Sequence, residues 1–297
     1  MTAQLSDWLF TSAVGIYMLA ALLSAVEYVL DRYPLRVPAM AGGAPPPRVP
    51  VPDRIGRMGV AVTVLGAAAH LASVLLRGLA TGRLPWGNMY EYISAVGLVA
   101  VVAWLVVLRR HPVRRIAVFV LLPTALLLFL AGNLLYTEVA PVQPALRSYW
   151  IAIHVAAAVM ASGVFLVSGI TSALHLLSEA RPNRVRRVRD RLPAPEFLDR
   201  LAYRSGVFGF ATITFAIITG AVWAEEAWGR YWGWDPKETA AFVSWVCYAA
   251  YLHARSTAGW RGSGAAWINL AGLVVVLFNL LFVNLVVSGL HSYAGVD

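Results

Sequence analysis

The chain has 297 residues, of which 59% are hydrophobic and only 13% charged, and its mean hydropathy is +0.67. A soluble domain of this size carries nearly twice that charged fraction, so the composition excludes an ordinary soluble enzyme and points to an integral membrane protein. A net charge of +9 would suggest nucleic acid in a soluble protein; in a membrane protein, cations orient the loops, and no nucleic-acid partner is expected.

A helix crosses a bilayer core with about 20 mostly apolar residues. Taken in chain order, eight segments qualify: 8–30, 58–77, 91–108, 113–133, 150–178, 204–224, 238–257 and 266–290. The expected fold is therefore all-α, a polytopic membrane helix bundle with about eight transmembrane helices. The first segment has Asp7 and no Lys or Arg ahead of its apolar run. A secretory signal peptide needs a positive start, so this segment is expected to be a retained span. It leads into "PLRVPAMAGGAPPPRVPVP", whose Pro and Gly content reads as a linker. The third and fourth spans are joined by the tight charged turn "RRHPVRR", and the basic "RPNRVRRVRDRLPAPEF" follows the fifth. That basic stretch reads as a solvated run that fixes orientation, suited to lie against anionic lipid.

Cation placement sets the orientation. With the N-terminus outside, only Arg77, Arg83, Arg147, Arg230 and Lys237 of the 24 Lys and Arg fall on the outer side. Both termini, and the loop between the sixth and seventh spans, are thereby expected outside.

That loop reads "WGRYWGWDPKET" (228–239). Asp235, Pro236 and Glu238 have the pattern of a capping box that opens the seventh helix. An interfacial aromatic belt accounts for some of the rings, but Trp228, Tyr231, Trp232 and Trp234 crowd one loop, with Trp223 just before it. Left in water they form an apolar patch of the kind that marks a binding site. Arg230 and Lys237 add cations among the rings. A flat apolar ligand with peripheral carboxylates, such as haem with its two propionates, suits both features. The single cysteine, Cys247, lies in an apolar run, and there is no CxxCH, so the chain is not itself a c-type cytochrome.

Of six histidines, His111 and His175 read as polar tips near inner helix ends. His154 in "SYWIAIHV" and His291 in "SGLHSYAG" fall at outer helix ends, on the side of the tryptophan loop. His70 in "GAAAHLAS" and His253 lie within spans, where an ionisable group marks a functional site by default. Imidazole is a common axial ligand of haem iron.

"WGRYWGWDPKET" resembles the WWD signature of the haem-handling membrane proteins of cytochrome c biogenesis. "IAIHV", "GLHSYAG", "AAAHLASVLLRGLATGRLPWGNMYEY" and "YLHAR" resemble the histidine segments of that family, and the layout with "NMYEY" is similar to its System II, CcsA/ResC type. The resemblance covers residues 60–297. It implies two regions: 1–57, a first transmembrane helix with its cytoplasmic linker, and 58–297, the haem-handling cytochrome c assembly domain with the WWD loop at 228–239. It implies delivery of haem b, as bound substrate, to the outer face for covalent attachment to apocytochrome c, as a subunit of a holocytochrome c synthase (haem lyase). His154 and His291 would be axial ligands of the outer haem iron. His70 and His253 would ligate or guide haem within the membrane. Trp228, Trp232, Trp234 and Asp235 would form the cradle, and Arg230 and Lys237 are expected to meet the propionates. The implied partners are a ResB-type membrane subunit, an apocytochrome c carrying CxxCH, thiol-reducing thioredoxin-like proteins and membrane lipid. The implied location is the bacterial plasma membrane. Two other readings stay open: a bis-histidine membrane b-type cytochrome, and a transporter of another aromatic anion.

Overall fold

The structure is a computed structural model that describes residues 1–30, 51–139, 144–180, 185–257, 260–287 and 289–291. The Pro/Gly-rich linker falls almost wholly outside the described residues. Among those residues there is no β-strand. The helices are α1 (Thr2–Leu30), α2 (Val51–Thr81), α3 (Met89–Arg110), α4 (Val118–Leu134), α5 (Tyr149–Glu179), the short α6 (Arg186–Arg189), α7 (Pro195–Trp228), α8 (Pro236–Ser256), α9 (Ser263–Phe278) and, after a π turn at Asn279–Val283, α10 (Asn284–Val286). All eight expected spans lie mainly on helices. The structure is a polytopic helix bundle.

Local chemistry sets the helix ends. Asn88 caps α3 by accepting from the Glu91 amide at 2.9 Å, and Ser148 caps α5 by accepting from Trp150 at 3.1 Å. Proline opens α7 and α8, where its missing N–H costs nothing. The "RRHPVRR" turn closes through a 3₁₀ turn at Arg114–Ile116.

Charges gather at the two ends of the bundle. At one end Arg77 is bound to Glu91 at 3.0 Å, to the Thr137 carbonyl and, at 3.6 Å, to Asp7. Ser148 there donates to Glu226. At the other end Arg114 joins Glu27 at 2.6 Å and Asp53, and Arg255 pairs with Asp199 at 2.9 Å. Between these ends the helices run up and down. One core joins α1 to α4 around Tyr17, Trp104, Leu121 and Leu128; another joins α5, α7, α8 and α9 around Phe165, Tyr248 and Tyr251.

Seven of the described helical stretches are long and apolar enough to cross a membrane. The eighth expected span, α8, has 21 residues, about 31 Å of helix, but is less apolar. The reason is its inward face, where Glu238, Ser244, Tyr248 and Tyr251 are buried, while Phe242, Val243 and Val246 are exposed. That distribution suits a helix with lipid outside and polar neighbours inside.

Candidate functional site

The tryptophan loop joins α7 to α8. Helix α7 ends at Gly229, whose φ of 69° lies in the left-handed region and lets its N–H return to the Glu225 carbonyl at 2.8 Å. Asp235 and Glu238 form the expected capping box. The Glu238 carboxylate collects the amides of Gly233 at 2.8 Å and Asp235 at 3.1 Å. Between them Trp234 has a φ of 58°, a conformation rare for a bulky residue. These bonds fix the chain on both sides of it.

Asp235 does more than cap. One carboxylate oxygen accepts from the Lys237 amide at 3.0 Å and from His291 Nδ1 at 2.9 Å; the other accepts from the Leu290 amide at 2.8 Å. The loop thus holds the turn at 289–291, beyond α10, and its histidine in place. Burial alone would raise the Asp235 carboxyl, but the His291 bond and the two amides outweigh it and bring it down to about 2.

His154 approaches from α5. Its Nδ1 donates to the Ala216 carbonyl at 2.8 Å. A carbonyl only accepts, so the proton sits on Nδ1 and Nε2 keeps its lone pair, the arrangement typical of a ligating histidine. The ring stacks on Trp223 at 6.1 Å and 12°. Gly220 permits this approach, because a Cβ there would stand 2.6 Å from His154 Nδ1. His291 meets Trp223 at 5.6 Å and Trp228 edge-on at 4.9 Å. Buried Trp223 therefore contacts both imidazoles.

Two adjoining cavities share His154 and His291 in their walls, together with Trp223, Tyr92, Lys237 and Asn284. The larger, about 390 Å³, is completed by Arg83, Trp86, Asn88 and Arg147. The smaller, about 110 Å³, is completed by Trp232, Glu238 and apolar residues of α7. Lys237 donates to Asn284, whose amide donates back to the Asn279 and Leu280 carbonyls at 2.9 and 2.8 Å.

The structure gathers His154, His291, Trp232 and Lys237 around the cavities, with Asp235 and Trp228 directly behind His291. Trp234 and Arg230 line neither cavity. Trp234 is 64% exposed and packs against Trp232 and Phe242. His70 and His253 lie elsewhere and apart. His70 is fully buried, bonded to Tyr17 at 3.3 Å and Ser94 at 2.9 Å, with Phe10 at its edge. α1 packs against that side of α2, with Tyr17 and Ile16 on Gly66. His253 is exposed on α8. At 1.5 Å per residue His70 lies about 16 Å from the loop end of its helix and His253 about 25 Å from the loop end of its own. His175 is a buried tie, with Nδ1 on the Pro195 carbonyl at 3.0 Å.

Sequence reasoning missed Arg83, Trp86, Tyr92, Arg147 and Asn284 as wall residues. Asn284 left a signal, one of three asparagines in the apolar run 266–290; the others left none that periodicity reveals.

Fold and site define a multi-pass membrane protein with a histidine pair set in an aromatic, cation-bearing pocket. Residues 86–291 match the family model for the cytochrome C assembly protein, and the chain belongs to that family. It is a protein of cytochrome c maturation. It is 35% identical to the cytochrome c biogenesis protein CcsA of Synechococcus sp. (strain RCC307), over 78% of this chain and 84% of the relative. It is 32% identical to CcsA of Prochlorococcus marinus (strain NATL1A), over 98% and 97%. Among solved structures it superposes on a cytochrome c heme lyase, CcmF, with a TM-score of 0.62, 18% identity and coverage of 93% of this chain. The chain spans about half of that protein, 46% of its length, and the likeness shows the fold.

Proposed function

We propose that this protein holds haem as a substrate between His154 and His291 and presents it for covalent attachment to an apocytochrome c. One observation carries the reading. Both histidines contact Trp223, both line the two cavities, and each has Nδ1 tied to an acceptor, Ala216 for one and Asp235 for the other. Fixing Nδ1 leaves Nε2 of each ring to meet iron. Trp232 supplies a face for the porphyrin, Trp223 backs the two imidazoles, and Lys237 is the cation assigned to a propionate.

Attachment adds each S–H of a CxxCH motif across a haem vinyl double bond: sulfur bonds to one carbon and hydrogen to the other, with no net redox change. What the protein contributes is orientation and protection of haem, with the rate advantage that positioned reactants gain. Cys247 lies within α8, so reducing equivalents for the thiols come from thioredoxin-like proteins. A ResB-type subunit completes the synthase. The loop end of the bundle faces outward from the bacterial plasma membrane. Residues 58–297 form the haem-handling region.

The test is the absorption spectrum of the purified chain before and after addition of reduced apocytochrome and the partner subunit. A haem Soret band that passes to the CxxCH protein supports the reading. Haem retained throughout marks a b-type cytochrome, and absence of haem marks a transporter of another molecule.

A further inference from the structure

The site sits inside a ring of four helices. α5 packs along α7 and α9, and α9 packs along α8; α7 and α8, though consecutive, form the loosest of the four sides. The smaller cavity follows this seam. Ile213, Ile217, Gly220 and Ala221 of α7 and Ala241 and Ser244 of α8 line it. From Ile213 to Ala221 the groove runs about 12 Å along the helix. Ile213, Ile217, Ala221 and Ala241 are half-buried, so no further helix among the described residues seals it. The surface on either side is apolar and exposed: Phe215 and Ile218 on α7, Phe242, Val243 and Val246 on α8.

Aromatic rings follow the same seam. Phe210 meets Trp245 at 5.4 Å, Trp245 stacks on Phe242 at 6.2 Å and 10°, and Phe242 reaches Trp232 at 6.5 Å and Trp234 at 5.9 Å. The line ends on Trp232, which is itself a wall of the site. At the far end Trp245 Nε1 donates to Thr214 Oγ1 at 2.9 Å and ties α7 to α8 below the groove.

We propose that the α7–α8 seam is a lateral slot through which haem passes edge-on between the lipid and the His154–His291 site. The proposal rests on the reading that this site holds haem. A flat, apolar ring with a charged edge partitions into a bilayer. A slot bordered by Gly220, Ala221 and Ala241 passes a thin ring and rejects a bulky one, and the rings from Phe210 to Trp232 give it a face to slide along. The groove is continuous with the proposed site, which is why haem, and not a partner helix, is its occupant.

The test uses the full chain in lipid nanodiscs, with haem supplied in the lipid and withdrawn by apomyoglobin. In a Cys247→Ser background, Ala221→Cys/Ala241→Cys is oxidised to close the slot. Entry and release should both slow by roughly tenfold, about 1.4 kcal/mol of added barrier, and dithiothreitol should restore both. The sign separates a slot from a damaged site, since damage speeds release. Thr214→Val, which lies outside both cavities and removes the lower tie, should speed entry and release together, whether or not the cross-link forms. Unchanged rates in Thr214→Val and in the oxidised cross-link would overturn the slot and leave the larger cavity's mouth as the way in. Absence of haem from the unmodified chain would instead overturn the site reading.

Discussion

Asp235 is where loop, helix and proposed ligand meet, and its replacement is the sharpest test of the site. Its carboxylate caps α8, holds His291 Nδ1 at 2.9 Å and takes the Leu290 amide at 2.8 Å. In Asp235→Ala the cap is lost, worth about 1 kcal/mol, and so is a hydrogen bond to a charged group, worth about 1.5–3 kcal/mol. The expected cost is about 2.5–4 kcal/mol, concentrated on the loop and residues 289–291. Asp235→Asn separates the two effects, because asparagine caps as well as aspartate while the bond to His291 loses its charge and about half its strength. Asparagine keeps one acceptor oxygen for the Lys237 amide and His291, but its NH2 then faces the Leu290 N–H and that bond is lost. The expected cost is about 1.4 kcal/mol at His291, a tenfold faster loss of haem, plus about 1 kcal/mol at residue 290, with the helix cap kept. The assay is haem release from purified variants followed at the Soret band, beside a circular-dichroism melt. The carboxyl also carries an acid signature. Its folded value near 2 lies below the unfolded value near 3.8, so its contribution is complete above about pH 4 and is lost as pH falls through about 2. Asp235→Asn should flatten that part of the acid-stability curve. Haem release and spectrum identical to the unmodified protein in both variants would refute the claim that Asp235 positions an iron ligand.

His154→Gly and His291→Gly should abolish cytochrome c maturation yet keep some haem with an altered spectrum, and added imidazole should restore part of the yield; a normal yield from either refutes the ligand assignment. Trp232→Ala should weaken haem binding by about 1–3 kcal/mol, the scale of ring stacking elsewhere, and more than Trp234→Ala or Trp260→Ala, because only Trp232 of these lines a cavity; haem titration of the three decides. Gly220→Ala places a Cβ 2.6 Å from His154 Nδ1 and should cost about 1–3 kcal/mol as an overpacked site, seen as a shifted haem spectrum at normal expression. Cysteines placed near residue 230 should react with an impermeant thiol reagent in intact cells and cysteines at 185–190 should not; the reverse pattern overturns the orientation.

Much of the fold was legible because lipid demands unbroken apolar runs, and the start of α8 was legible because the capping chemistry of Asp235 is local. The histidine pair was legible for a related reason: cation placement put both on the side of the tryptophan loop. What failed to show depends on tertiary packing. The left-handed backbone at Trp234 turns its ring out of the pocket, and no residue type announces that. His70 sits among small residues, and only the packing of Tyr17 and Phe10 of α1 decides that the space beside it is filled. The larger cavity takes its wall from 83–88 and 146–151, stretches that approach only because the bundle folds.

Helix α8 shows why the site is built from ties and not from an apolar core. A helix that turns Glu238, Ser244, Tyr248 and Tyr251 inward gains little from leaving lipid, since lipid is as apolar as any core. Its position comes from the packing of Tyr248 and Tyr251 in the core and from directed bonds. Asp235 fixes its start, Lys237 reaches Asn284, Trp245 reaches Thr214 at 2.9 Å, and Arg255 reaches Asp199 at 2.9 Å. These bonds tie α8 to α10 at its loop end and to α7 at two lower levels, and one can be lost without breaking the others. Helices α5 and α7, packed along their whole lengths, have no such freedom. The loose side of the ring is therefore the side with the polar helix, and it is the side on which the tryptophan loop closes over His291.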